Sequence, residues 1–325
     1  MKLRKKLLLI FLVFLVLITL VIIISKDNKE DKNVVRFGYA YNIGQLPGVI
    51  GVEKGFFSQQ GLEINSLILE GGKDITEAML AGEIDFGLAS SGGIIPAAVI
   101  SDDIKIVATT SWGGGRKRLM IRKDLKIDNF PELINKKIAV RIGGTQYKNL
   151  LKLIDKSDLT KDDFKILNMK NSDAMVVLQI GDIDAYLCGE PDCAIIEYKG
   201  IGYELLNFDK TEIDPNFLMV RKQFMEENPD LVVRFLKGWI NSQKFIDNNF
   251  KEAKEILSDK GEIEIEIVNI ATKYMRNDIE LSDFVINAIK EDAEFLLVRG
   301  EIEKLPNFDE LIIKKYLEEA KNDKS

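Results

Sequence analysis

Twice along this chain of 325 residues a capped, helix-like stretch ends in glycine, an acidic residue, isoleucine and aspartate, and a short apolar run follows at once. The first instance is Gly82-Glu83-Ile84-Asp85 before Phe86, and the second is Gly181-Asp182-Ile183-Asp184 before Ala185. Around the first, apolar runs over 34–39, 62–69, 86–89 and 104–109 read as strands, with amphipathic stretches between them. Asp74 and Glu77 stand in capping-box order, so a helix should start at Asp74 and stop at Gly82. The grammar then restarts, with strands over 137–141 and 164–167 and a helix capped by Ser172 and Asp173. Strands alternating with helices dictate a mostly parallel, helix-covered α/β sheet, and the doubling dictates two of them. Length agrees, because a single core stops growing near 250–300 residues.

Past 223 the pattern turns helical. Asn228-Pro229 is an N-cap and first-turn pair, after which Leu231, Val232, Phe235, Leu236, Trp239 and Ile240 share one helical face. That spacing puts Trp239 in a core. Strand-like runs at 119–121 and 217–220 are expected to bracket the second sheet. The expected division is therefore 1–33, then one lobe of 34–118 plus 220–325, and a second lobe of 119–219.

Ahead of the body, Lys2, Arg4, Lys5 and Lys6 precede an apolar run over 7–24 broken only by Thr19. About 18 residues make a helix of roughly 27 Å, close to a bilayer core. Ile22-Ile23-Ile24-Ser25 offers no small-residue cleavage site and no cysteine follows, so the run reads as a retained transmembrane anchor with a cytoplasmic N-terminus. A cleaved signal peptide is the alternative, and either places the body outside the cytoplasm. Residues 26–33 form a charged tether.

Charge and composition narrow the function classes. The chain has 45 basic and 52 acidic side chains, a formal −7. Seven basic and three acidic residues fall in the first 33, which leaves the remainder at −11. Such a body repels polyphosphate, so nucleic acid is not an expected partner. Histidine is absent, which removes imidazole bases and most zinc sites. No cofactor or metal is expected. Cys188 and Cys193 are separated by four intervening residues without further ligands, which leaves a local disulfide and two buried thiols as alternatives.

Gly55-Phe56-Phe57 with Gly61-Leu62-Glu63, Ala81 to Gly87, and Gly181 to Asp184 followed by Glu190-Pro191 resemble, in order and spacing, the sulfonate/taurine/nitrate-binding receptors. Receptors for the thiamine pyrimidine precursor belong to the same family. The resemblance spans roughly 34–298. It implies a two-lobed type II periplasmic-binding-protein fold with an interlobe cleft, acting as a monomer with an ABC permease and its ATPase. This chain has Gly189 where the family often carries an aromatic residue, and Gly143-Gly144-Thr145 where a Gly-Ser opening is usual.

A helix N-terminus offers free N–H groups and about half a positive charge to sulfonate, nitrate or carboxylate oxygens. Two openings suit this: Ser90-Ser91-Gly92-Gly93 in one lobe and Gly143-Gly144-Thr145-Gln146 in the other. Ser90, Ser91, Gly92, Gly144, Thr145 and Gln146 are therefore candidate ligand contacts, bridged by the solute as the lobes close. Tyr41 and Asn42 follow the first strand, at the end where open α/β sheets bind ligands. Trp112 follows the fourth strand, ahead of the glycines at 113–115, read as a flexible stretch. Glu190 either pairs with an ammonium or aminopyrimidine, or caps a helix. Arg116, Lys117 and Arg118 read as solvated surface with Arg116 near the cleft mouth, and Arg141 is better placed to meet an anion.

Other classes remain. Biosynthetic enzymes share this scaffold, thiamine-pyrimidine synthase-like or chorismate dehydratase-like, but the pyrimidine-forming relatives need histidine. A sensory ligand-binding domain would be expected to continue into a cytoplasmic output domain.

Overall fold

The computed structural model describes residues 33–322. Ten strands form two five-stranded sheets among these residues. The strands are β1 (Val34–Tyr39), β2 (Glu63–Ile68), β3 (Phe86–Ser90), β4 (Ile104–Ser111), β5 (Lys117–Arg122), β6 (Lys137–Val140), β7 (Lys165–Asn168), β8 (Ala185–Gly189), β9 (Gly202–Asn207) and β10 (Asn216–Arg221). The helices are α1 (Leu46–Glu53), α2 (Gly72–Leu80), α3 (Ser91–Ile100), α4 (Thr145–Lys156), α5 (Asn171–Ile180), α6 (Asp192–Tyr198), α7 (Lys222–Glu227), α8 (Pro229–Asn248), α9 (Phe250–Lys260), α10 (Ile265–Ala271), α11 (Asp283–Val298), α12 (Phe308–Leu311) and α13 (Lys315–Asn322). The apolar run at 7–24 lies outside the described residues. Among those described, no helix is long and apolar enough to cross a membrane.

The sheets have the orders β2-β1-β3-β10-β4 and β7-β6-β8-β5-β9. β1 runs parallel to β3 and β6 parallel to β7 and β8, while the fourth strand of each sheet is antiparallel to its neighbours. That fourth strand is β10 in the first sheet and β5 in the second, so the chain lays one strand in each just where it crosses between them. The run at 217–220, expected to bracket the second sheet, is part of the first. Lys117 and Arg118 already belong to the second.

The repeated Gly-acid-Ile-Asp has a physical cause. Asp85 accepts from the Arg36 N–H at 3.0 Å, and its own N–H donates to the Arg36 carbonyl at 2.8 Å. Asp184 repeats this with Lys137, at 2.9 and 3.0 Å. An arginine from the end of the antiparallel strand closes each clamp: Arg221 pairs with Asp85 at 3.0 Å and Arg122 with Asp184 at 3.7 Å. The preceding glycines hold φ of +74° and +92°, the left-handed turn that ends each helix. Asp74 departs from expectation. The N-cap of α2 is Gly71, and Asp74 sits in the first turn with its carboxylate on Arg141.

Alternate residues of the second sheet enter different cores. Leu119, Ile121, Ile138, Val140 and Leu187 pack on one face, and Met120, Ala139, Tyr186 and Cys188 on the other. Cys188 and Cys193 are joined as a disulfide. The first sheet is covered on one side by α8, where Trp239 is fully buried and Phe235 stacks on Phe86 at 4.0 Å.

The two crossings lie side by side. The Gly113 and Gly114 N–H groups donate to the Ile213 and Glu212 carbonyls at 2.7 and 3.1 Å. A Cβ at Gly114 would stand 2.2 Å from the Phe208 carbonyl oxygen, so these glycines permit close backbone packing rather than forming a loose stretch. Beneath the crossings, the Lys148 ammonium meets Asp292 at 2.8 Å, Asp214 at 2.9 Å and Glu212 at 3.4 Å. Lys152 joins Asp292 and Glu212 at 2.6 and 2.8 Å. Burial alone would lower the Lys148 pKa, but the three carboxylates raise it far above the usual lysine range.

Candidate functional site

A cavity of about 410 Å³ opens where strands of both sheets end. Ser90 ends β3 and Gly189 ends β8; beside them, Asn216 begins β10 and Lys117 begins β5. Asn216 is in register with Ser90, and Lys117 with Gly189. All four line the cavity, so it lies at matched positions of the two sheets, outside the carboxyl ends of their parallel strands.

Of the residues expected there, Tyr41, Asn42, Ser90, Gly144, Thr145, Gln146 and Glu190 line the wall. Ser91, Gly92 and Trp112 do not. Ser91 is fully buried and donates to Asp292 of α11, which makes it part of the core beneath. Gly92 faces the start of α4, and a Cβ there would sit 2.5 Å from the Thr145 Cα. The two helix openings therefore touch each other instead of facing across a gap. Their positions are not equivalent either, since α3 follows the third strand of its sheet and α4 the second of its own. Trp112 is drawn away by the C-terminal part, its backbone N–H bonded to the Arg276 carbonyl and its ring packed on Phe284 at 5.6 Å.

Glu190 lies on the wall, but its carboxylate turns inward. It accepts from the Ala194 N–H at 3.1 Å and pairs with Arg118 at 2.9 Å, so it caps α6. Burial lifts its pKa to about 7 against the opposing pull of Arg118, which it shares with Glu197 and Glu204. The basic run 116–118 is not solvated surface. Arg116 and Arg118 are both 3% exposed. Arg116 reaches the cavity wall while donating to the Gly113 and Asp214 carbonyls at 3.1 and 2.7 Å, and burial pulls its pKa down to about 10.

Lys117 is different. Its ammonium has no hydrogen bond and no ion pair among the described residues, yet it lines the cavity. Burial, with Arg116 adjacent, lowers its pKa to about 8. Gly189 leaves it room, because the position a Cβ would take there is 3.2 Å from Gln146 Nε2 and 3.6 Å from Lys117 Cδ. Asn216 is held by donation to the Gly44 carbonyl at 3.0 Å and accepts from Ser90 Oγ at 3.4 Å.

Contacts between the two halves seal the rim. Lys73 donates to the Ile142 carbonyl at 3.2 Å, Asp74 pairs with Arg141, and Ser172 donates to Glu70 at 3.1 Å. Asp192 also lines the wall, accepting from the Tyr186 hydroxyl at 3.0 Å; burial raises its pKa to about 6. Sequence reasoning missed Lys117, Asn216 and Asp192. Their signal was the repeat itself, which assigns Lys117 and Asn216 to one position in two halves. Among the described residues no group of acidic or cysteine side chains could hold a metal ion.

The family described as NMT1/THI5 like matches this chain over residues 42–253. A putative aliphatic sulfonates-binding protein of Bacillus subtilis is 26% identical over 77% of this chain and 76% of its own length. The taurine-binding periplasmic protein of Escherichia coli is 24% identical, covering 63% of this chain and 64% of its own. In structure, the alkanesulfonate-binding protein of Xanthomonas axonopodis bound to MOPS superposes with a TM-score of 0.81 at 17% identity, over 87% of this chain and 98% of that one.

Proposed function

Because the chain belongs to the NMT1/THI5-like family, we propose that it is the extracytoplasmic solute receptor of an ABC importer, taking a small solute with an anionic group such as a sulfonate. The observation that carries this reading is Lys117, an ammonium with no ion pair or hydrogen bond among the described residues, on the wall of a cavity between two sheets. Burying an unpaired charge is costly, and an incoming anion removes that cost. Thr145, Gln146, Ser90, Asn42 and Asn216 supply neutral hydrogen-bonding groups around it. A micromolar affinity corresponds to about −8 kcal/mol, within reach of a few charge-assisted bonds.

The lobes are read as 34–116 with 216–325, and 117–215, a few residues from the division expected of the sequence. They hinge at the paired crossings, and a bound solute favours closure by touching both. A permease and its ATPase are the expected partners, and the receptor acts as a monomer. We read residues 7–24 as a retained single-span anchor on the strength of their length and missing cleavage site. The intact mass of membrane-extracted protein should include them, and a mature start near residue 26 would remove the anchor.

The test of the receptor reading is a pH profile of anion binding. Lys117 is charged below its lowered pKa, so calorimetric affinity for ethanesulfonate should hold to about pH 8. Above that it should fall by up to about tenfold per unit. Affinity independent of pH from 7 to 10 would take Lys117 out of the site.

A further inference from the structure

The remaining charges on the cavity wall reveal more about the solute. Arg141 is paired with Asp74, Lys73 is bonded to the Ile142 carbonyl, Arg116 to two carbonyls and Glu190 to Arg118. Apart from Arg116, which those carbonyls hold, three charged side chains on the wall have no opposite charge within 4.0 Å among the described residues: Lys117, Asp192 and Glu70. Asp192 is fixed in orientation by the Tyr186 hydroxyl on Oδ2, which leaves Oδ1 without a partner among the described residues. Glu70, exposed at the rim, takes only the Ser172 hydroxyl.

The two carboxylates and the ammonium do not satisfy each other. Lys117 is flanked by Arg116, Asp214, Lys148 and Glu190, whereas Asp192 is acted on by Tyr186 and Glu70. A solute with an anionic group alone would answer Lys117 and leave a carboxylate pair facing it uncompensated. A solute with a cation alone would do the reverse. Only one with both charges compensates both ends of the wall.

We propose that the solute is a zwitterion, with its anionic group at Lys117 and an ammonium-type group at Asp192, and with Glu70 adding negative potential at the rim. This rests on the receptor reading above and narrows its ligand class. It moves to Asp192 the role of amine recognition that the sequence offered to Glu190, whose carboxylate is engaged with Arg118 and the Ala194 N–H.

The test is calorimetry on the full chain with three matched pairs of probes: taurine against propanesulfonate, β-alanine against butyrate, and 2-aminoethylphosphonate against propylphosphonate. Each pair keeps the anion and exchanges an ammonium for a methyl group. In the pair that binds, the amino member is expected to bind at least tenfold more tightly. Asp192→Asn, which keeps an acceptor for Tyr186, should erase that preference by weakening the amino member, while the alkyl member binds no more weakly than before. An alkyl member that binds as well as its amino partner overturns the zwitterion and leaves the anion receptor standing. An amino preference unchanged in both Asp192→Asn and Glu70→Gln also overturns the assignment. If none of the six binds, the receptor reading falls and this inference with it.

Discussion

Replacing Lys148 with methionine is expected to lower the unfolding free energy by about 3–5 kcal/mol, the cost of removing one partner from a buried ion cluster. Lys148 is 1% exposed and lies within 3.4 Å of Glu212, Asp214 and Asp292. Methionine fills much of the space but leaves those carboxylates with Lys152, Asn149 and Ser91 as their remaining side-chain partners. The three acids come from the second crossing and from α11, while Lys148 stands on α4, so the cluster ties together elements far apart in sequence. Denaturant unfolding with an unchanged m-value would report the loss as stability. Adding Asp292→Asn should cost less in the Lys148→Met background than in the native chain, because the charge it removes has already lost its main partner. Additive losses would mean the cluster is not a unit.

Lys117→Gln is expected to leave the fold intact and to weaken binding of an anionic solute by about 10- to 150-fold, equivalent to ~1.5–3 kcal/mol for a charge-assisted hydrogen bond. The native ammonium carries no structural bond that the substitution would break. Its burial already works against its charge, so glutamine relieves a cost in the unliganded protein. Stability should therefore be unchanged or slightly raised while affinity falls. That opposition separates a binding role from a structural one.

Much of the fold was legible because each half obeys local rules. Strands at 34–39 and 86–89, the turns at Gly82 and Gly181 and the core position of Trp239 follow from periodicity and from glycine's tolerance of positive φ. The repeated aspartate was visible as a pattern, but its role as a clamp on β1 in one sheet and β6 in the other required the pairing. Site residues were harder. Ser91, Gly92 and Trp112 have suitable chemistry and stand next to the right strands, yet Asp292, Thr145 and Arg276 claim them. Those partners are brought in by tertiary packing from 53 to 201 positions away. Lys117 was obscured by its neighbours, since Arg-Lys-Arg reads as surface. Alternation along β5 instead turns Arg118 onto Glu190 and leaves Lys117 at the cavity. Asp74 failed as an N-cap for a related reason, because Arg141, just past the end of β6, takes its carboxylate as an ion-pair partner.

If a cavity between two sheets holds an anionic solute at Lys117, ligand-dependent melting will reveal it. A binder at about 100 times its dissociation constant adds ~2.7 kcal/mol to the folded state, which for a protein of this size is a rise in Tm on the order of 5–10 °C. The full chain and Lys117→Gln would be melted in parallel with millimolar taurine, alkanesulfonates, nitrate, β-alanine and aminoethylphosphonate. At least one of these anions is expected to raise the Tm of the native chain, and the same anion to raise that of Lys117→Gln by half as much or less. An equal rise in both proteins, or no rise with any anion, would contradict an anion site at Lys117.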